Sequence, residues 1–199
     1  MPNGPLSLPA RLCLLAWDLD PTRAAPVVRA GALADLARRG LLVDDDGIAT
    51  PRDLDSRTGD PALDGLLELV SESFPHGWRT WVTLHARHTL DAVREHLVAE
   101  GVLRAEKHRV LGVFPSVDHV LADTARADAL RTEAQEVLSG AVTPDETTAT
   151  VLTLAAAADL PVAASGTVPM VPTDLAFAGL LHELEAGLRD TAPALPKGR

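Results

Sequence analysis

Histidine and basic residues are concentrated in the middle of the chain. Residues 76–109 carry five of the seven histidines, and six Lys and Arg against four Asp and Glu. Residues 1–75 carry seven basic and twelve acidic side chains, and residues 110–199 carry five and twelve. The whole chain has a formal net charge of −10. An anionic ligand would therefore meet its most favourable potential at the middle segment.

Two groups of polar residues could in principle bind a metal ion. His85 and His88 are three residues apart and would share one side of a helix. A zinc site needs a third and usually a fourth ligand, and the neighbouring Glu95 and His96 are not in phase with them. The three aspartates at 44–46 precede a glycine, which is more typical of a hairpin turn than of a cation site. We expect no metal and no cofactor.

No catalytic motif is recognisable in the sequence. It contains no glycine-rich phosphate loop, no GxSxG and no HExxH. Cys13 lies in the apolar run LCLLAW, where a thiol is more often a core side chain than a nucleophile. We therefore expect no catalytic residues and a protein that is not an enzyme.

The basic segment is predicted to form a helix followed by a hairpin. Apolar residues recur at spacings of three and four from Val82 to Leu97, which places them in one helical stripe. Arg87 and Asp91 lie off this stripe and are spaced to form an ion pair. Gly101 is a typical helix end, and residues 102–121 contain apolar runs around a charged middle, which is typical of a β-hairpin.

The remaining patterns predict a mainly α fold. DPTRAAP at 20–26 is expected to separate the first two helices, and the helix at 144–159 is apolar almost all round, which predicts a buried central helix. We expect one domain over residues 1–190, built around that helix with one or two β-hairpins, and a disordered tail at 191–199. The other predicted helices span 8–19, 27–39, a segment beginning at Asp60 and Pro61, a segment capped by Thr124 and closed by Gly140, and a last segment from about 177 to 188. LLVDDDGIAT at 41–50 is a predicted hairpin.

Composition narrows the possible functions. The sequence has no apolar run of about 18 residues and no signal-peptide pattern, and its single cysteine fits a reducing compartment. We therefore expect a cytoplasmic protein. A helix followed by a hairpin also occurs in winged-helix DNA-binding domains, but a pI of about 5.0 argues against nucleic-acid binding. The Ala, Arg and Leu bias with few lysines is typical of high-GC bacterial proteins.

Three stretches in order resemble the Golgi phosphoprotein 3 family. They are LADLARRG at 33–40, RTGDPALDGLL at 57–67 and VREHLVAEGVLRAEKHRVLGVFP at 93–115. The sequence is identified as a bacterial, actinobacterial-type member. The resemblance implies a helical domain around a buried apolar helix and a projecting hairpin, here 102–121, that is used in self-association near the membrane-facing side. Eukaryotic members are peripheral Golgi proteins that bind phosphatidylinositol 4-phosphate and retain glycosyltransferases.

The family's headgroup site is only partly matched. Arg29 and Arg87 correspond to two of its basic residues, but the position of a further arginine is occupied by Leu90. The family's tryptophan position falls near Asp20, where no aromatic residue is present, and Trp17 lies one turn earlier. The resemblance thus implies a lipid headgroup site at Arg29, Arg87 and Trp17.

Two hypotheses follow from the sequence. In the first, the protein is a non-catalytic peripheral membrane protein on the cytoplasmic face, whose partners are an anionic, phosphoinositide-like phospholipid and further copies of itself through the hairpin. In the second, it is a soluble adaptor domain that has lost lipid binding, and Arg29 and Arg87 are surface ion-pair partners, for example Arg87 with Asp91.

Overall fold

The fold is known from a computed structural model that describes residues 5–53, 55–110, 114–164, 166–168 and 174–191. Side chains are described for all of these residues except those within 108–116. Within these ranges the chain is mainly α-helical, with two antiparallel hairpins. The elements are α1 (Leu8–Leu15), α2 (Pro21–Arg38), β1 (Leu42–Asp45), β2 (Ile48–Pro51), α3 (Pro61–Glu72), α4 (Trp78–Thr83), α5 (Ala86–Ala99), β3 (Leu103–Val110), β4 (Phe114–Leu121), α6 (Thr124–Leu138), α7 (Glu146–Ala157), a 3₁₀ turn (Pro161–Ala163) and α8 (Leu175–Thr191). The predicted mainly α class is confirmed.

Aspartate side chains cap four of the helices. Asp20, Asp60, Asp123 and Asp145 each accept a hydrogen bond from a backbone amide of the first turn. This satisfies donors that have no partner inside the helix. The helix expected to begin at residue 144 begins two residues later, because Asp145 is the cap and α7 begins at Glu146.

Helix α2 begins earlier than the sequence suggested. We expected DPTRAAP to be a break, but Asp20 caps the helix and Pro21 occupies its first position. Proline is well tolerated there because that amide has no helical partner in any case. Pro26 lies inside the helix. The two prolines therefore belong to α2 and do not separate it from the residues after them.

Helix α2 is packed on almost every side. It contacts α1, α3, α4, α5, α7 and α8. Small side chains allow this close approach: a Cβ atom added at Gly31 would lie 2.5 Å from Leu12 Cδ1. The predicted central helix, α7, is indeed mostly buried. However, α2 has the larger set of packed neighbours and is the helix around which the domain is built.

The predicted continuous helix through 82–97 is two helices. Leu84 is extended and His85 has a left-handed backbone with φ of +53°, which separates α4 from α5. The expectation failed because no glycine or proline marks the break. The apolar stripe itself is correct, since Val82, Leu90 and Leu97 are fully buried in one core.

Both hairpins form as expected. In the first, Asp46 and Gly47 have positive φ values of 49° and 84°, as a tight two-residue turn requires. Asp44 beside this turn accepts a hydrogen bond from the Trp78 indole at 2.7 Å, so its carboxylate has a structural role. The second pairs Leu103 with Leu121 and continues to Val110 and Phe114, which confirms the hairpin predicted at 102–121.

Other expectations concern single residues and the chain end. Cys13 is buried, and burial raises the pKa of its thiol to about 11, as expected for a core residue. The predicted tail at 191–199 lies outside the described residues except for Thr191. None of the described helices has the length and apolar character needed to cross a bilayer.

Candidate functional site: the α5 N-terminus and the adjoining cleft

The N-terminal end of α5 brings together several nitrogen donors. Its first residue follows His85, whose side chain makes no capping hydrogen bond. The exposed imidazoles of His85 and His88 stack with ring centres 5.5 Å apart. A helix N-terminus without a side-chain cap presents free amides and the positive end of the helix dipole, and both attract anions.

Arg29 lies beneath this helix end and is completely buried. Its Nη2 donates to the carbonyl of His85 at 2.7 Å, while Nε and Nη1 have no hydrogen-bond partner among the described residues. Burial lowers the pKa of Arg29 to about 10, so the side chain remains charged at neutral pH. The alternative that Arg29 is a surface ion-pair partner is therefore wrong. Direct contact between Arg29 and a headgroup would require His85 to move.

Arg87 is the exposed cation of the same helix end. Its side chain is 54% exposed, and its Nε lies 2.9 Å from Asp91 Oδ1. This is the ion pair that the spacing predicted. The structure thus brings Arg29 and Arg87 to the same end of α5, one below the surface and one on it.

Trp17 lies in a cleft that adjoins this site. The cleft has a volume of about 770 Å³ and runs between α5, the α1–α2 connection and the β3–β4 hairpin, with Arg87 among its lining residues. Trp17 is half-buried, and the guanidinium carbon of Arg94 lies 5.7 Å from the centre of its ring. This distance is that of a cation–π interaction. The tryptophan is therefore paired with Arg94.

Sequence reasoning did not assign the cleft residues Arg94, Lys107 and His119 to the headgroup site. Lys107 was one of several basic residues that could compensate for the missing arginine by position, and the direction in which the hairpin faces was not evident from the sequence. Side chains alternate between the two faces of a strand. Once the strand pairing is known, this alternation places Lys107 and His119 on one face, because Ala105 pairs with His119 and Lys107 with Val117. Leu90, at the position of the missing family arginine, is fully buried in the core.

The arrangement suits recognition of an anion better than binding of a metal. Among the described residues, no three His, Cys, Asp or Glu side chains are grouped to hold a metal ion. The available groups are guanidinium and imidazole donors together with the dipole of α5. Such groups form charge-assisted hydrogen bonds to phosphate or carboxylate oxygens.

Comparison with known proteins identifies the family. No curated protein matches the sequence significantly. The family model for Golgi phosphoprotein 3 (GPP34) matches residues 8–176, which includes all three stretches that carried the resemblance and every element from α1 to the start of α8. The chain belongs to the Golgi phosphoprotein 3 family.

Proposed function

We propose that this protein is a peripheral membrane protein that recognises a phosphate-bearing lipid headgroup at the N-terminal end of α5. The observation that carries the proposal is the buried guanidinium of Arg29, with two nitrogens unpartnered among the described residues, under a helix end without a side-chain cap. A buried charge without a carboxylate partner is costly to the folded state. A bound anion would offset this cost by interacting favourably with the buried positive charge.

Each group has a distinct role in this proposal. Arg87 is the exposed donor to the phosphate. The first-turn amides of α5 other than that of His88, which already donates to the carbonyl of His85, add further donors. Arg29 supplies positive charge from below, and it becomes a direct donor if the backbone at His85 changes conformation. Family membership agrees with this assignment, because the family resemblance implies phosphatidylinositol 4-phosphate as the ligand of eukaryotic members.

The ion pair between Arg87 and Asp91 opposes lipid binding. A headgroup phosphate must compete with a carboxylate that already lies 2.9 Å from Arg87 Nε. Exposed pairs of this kind contribute only about 0–1 kcal/mol, so a phosphate with a second charge can displace the carboxylate. Because the pair is weak, it modulates the affinity rather than abolishing it.

A second candidate is favoured by the same pair and by the burial of Arg29. Both observations fit a soluble adaptor domain in which these cations have only structural roles.

In either case, we propose that the 102–121 hairpin contributes to self-association. Sedimentation velocity of the intact protein and of a variant in which a short turn replaces the hairpin tip tests this: the oligomer should be lost in the variant.

Liposome flotation distinguishes the two candidates. Vesicles containing phosphatidylinositol 4-phosphate, phosphatidylinositol or phosphatidylglycerol are compared at matched surface charge and at two salt concentrations. We expect preferential flotation with the phosphomonoester lipid, weakened several-fold by Arg87→Gln. Arg189→Gln is the matched control, because Arg189 on α8 is also 54% exposed and pairs with Glu185 four residues away. Equal behaviour on all three vesicles would favour the adaptor.

A further inference from the structure

We propose that the cleft between α5 and the β3–β4 hairpin is a second anion-binding site, in which Arg94, Lys107 and His119 hold a phosphate or carboxylate group. Arg87 lines the same cleft, but the donors of this site lie further along α5 and on the hairpin. Arg87 and Arg94 are seven residues apart, which corresponds to about 10 Å along the helix axis. Because its donors are different residues, the second site does not depend on the function proposed above.

The cations of this site are not neutralised by ion pairs. Arg94 and Lys107 form no salt bridge with any described carboxylate, in contrast to Arg87 with Asp91. Arg94 Nε is buried without a hydrogen-bond partner in the described part of the chain. Glu95 and Asp118 also line the cleft, so the site has little net charge. Binding there would result from convergent donors rather than from a broad positive field.

The hairpin register directs two of the donors to the same face. Lys107 pairs with Val117, and His119 pairs with Ala105, so Lys107 and His119 are diagonal neighbours about 7–8 Å apart along one face. All four residues line the cleft. Strand β3 packs against α5. The hairpin therefore places both donors opposite Arg94.

Stacking on Trp17 orients the third donor. The arginine side chain is flexible on an open helix surface, but here its guanidinium lies over the indole at 5.7 Å. Holding the group in place lowers the entropy cost of ligand binding. The indole and the side chains of Val98 and Val117 also provide an apolar wall. A ligand with an anionic group attached to a ring or short apolar chain fits this combination.

The size of the cleft agrees with a small organic ligand. Its volume of about 770 Å³ lies within the range of about 300–1,000 Å³ that is usual for such sites. Val117 is 48% exposed, so part of the apolar wall is open to solvent. A ligand ring placed between Trp17 and Val117 would cover this exposed part of the wall.

Protonation of His119 should couple binding to pH. Burial and the nearby Arg94 lower the pKa of His119, while Asp91 and Glu95 on α5 and Asp118 on the hairpin raise it more weakly. Lys107 on β3 and Arg87 on α5 are the other charged residues that line the cleft. A bound anion favours the imidazolium and raises this pKa again. Binding of an anion whose own charge stays constant should therefore take up a proton at His119 and strengthen as the pH falls towards the pKa of the free imidazole.

The test uses phenyl phosphate as the probe, which combines a phosphomonoester with a ring. Its affinity for the full chain is measured by calorimetry, and its position by the shift of the Trp17 indole N–H resonance. We expect Lys107→Gln and His119→Gln each to weaken binding about tenfold. Arg104→Gln is the control on the same hairpin, since Arg104 lies on the opposite face and pairs with Glu106. It should leave the affinity unchanged.

The outcomes separate this site from the one at the helix end. Failure of phenyl phosphate to bind, or equal binding by all three hairpin variants, would overturn the second site even if Arg87→Gln abolished flotation. Loss of phenyl phosphate binding in Lys107→Gln and His119→Gln supports it. If those variants also float less with phosphatidylinositol 4-phosphate vesicles, the anion is a lipid headgroup; if flotation is unchanged, it is a soluble molecule.

Discussion

The guanidinium of Arg29 donates a hydrogen bond to the backbone carbonyl of His85, with Nη2 and the oxygen 2.7 Å apart. This one bond links α2 to the junction between α4 and α5. It also places a full positive charge under the first turn of α5. The relationship explains why a residue deep in the core can influence what binds at the surface.

Removal of the buried charge should stabilise the fold. Arg29→Met keeps the approximate length of the side chain and removes a desolvated cation that has two nitrogens unpartnered among the described residues. Replacement of buried charges by apolar groups is often neutral or stabilising, by about 1–4 kcal/mol. We expect the free energy of unfolding in urea to rise within that range while lipid binding is lost.

Arg38→Met provides the comparison for this variant. Arg38 donates to Thr147 Oγ1 at 2.8 Å and lies 3.6 Å from Glu146, so its cation already has partners. The control should not gain stability. A lower unfolding free energy in Arg29→Met than in Arg38→Met would mean that the His85 contact is a net stabilising interaction, and that Arg29 is retained for the fold alone.

Close packing around α2 makes Gly31 sensitive to substitution. A Cβ atom there would lie 2.5 Å from Leu12 Cδ1 and 3.3 Å from the Pro9 backbone. Overpacking of this kind costs about 1–3 kcal/mol, so Gly31→Ala should lower the urea midpoint. Gly65 on α3 has no atom within 4 Å of the corresponding position. Gly65→Ala should raise the free energy of unfolding by about 0.5–1 kcal/mol, because alanine is the better helix former. If Gly31→Ala were more stable than Gly65→Ala, the result would contradict the close packing of α1 on α2.

Acid should weaken the start of α7. The Thr148 amide donates to the Asp145 carboxylate at 2.7 Å and lowers the pKa of that carboxyl below its ordinary value of 3.8. Because the folded-state pKa is the lower one, this contribution is present above pH 3.8 and is lost as the pH falls through the folded-state value. Asp145→Asn should reduce the loss of stability between pH 5 and pH 2.5, measured by urea unfolding. An unchanged pH difference would show that the cap does not contribute.

Periodicity and turn chemistry predicted much of the fold from sequence. The stripe from Val82 to Leu97 is buried as expected, and the aspartate and glycine at 46 and 47 form the expected turn. These features depend on neighbours a few residues apart. Local rules therefore suffice for them.

The break at His85 could not be predicted in this way. A left-handed histidine is not favoured by its own side chain. The conformation is accompanied by the long-range contact with Arg29, which lies 56 residues earlier in the chain. The same limitation applies to the cleft, because the stacking of Arg94 on Trp17 depends on how α5 packs against the end of α1.

Arg29 illustrates the difference between a correct residue and a correct role. The family resemblance selected it, and the structure places it at the same helix end as Arg87. Its burial was not visible in the sequence, because arginine on an alanine-rich helix usually extends to solvent. Here the surrounding helices enclose it completely.

Flotation of Asp91→Asn with phosphatidylinositol 4-phosphate vesicles tests the α5 headgroup site most directly. This variant frees Arg87 from the ion pair without removing a cation, so we expect stronger flotation than for the unaltered protein. The gain should disappear in the double variant Asp91→Asn/Arg87→Gln. A gain that persists without Arg87 would reflect only the change in net charge, and it would contradict recognition of the headgroup at this helix end.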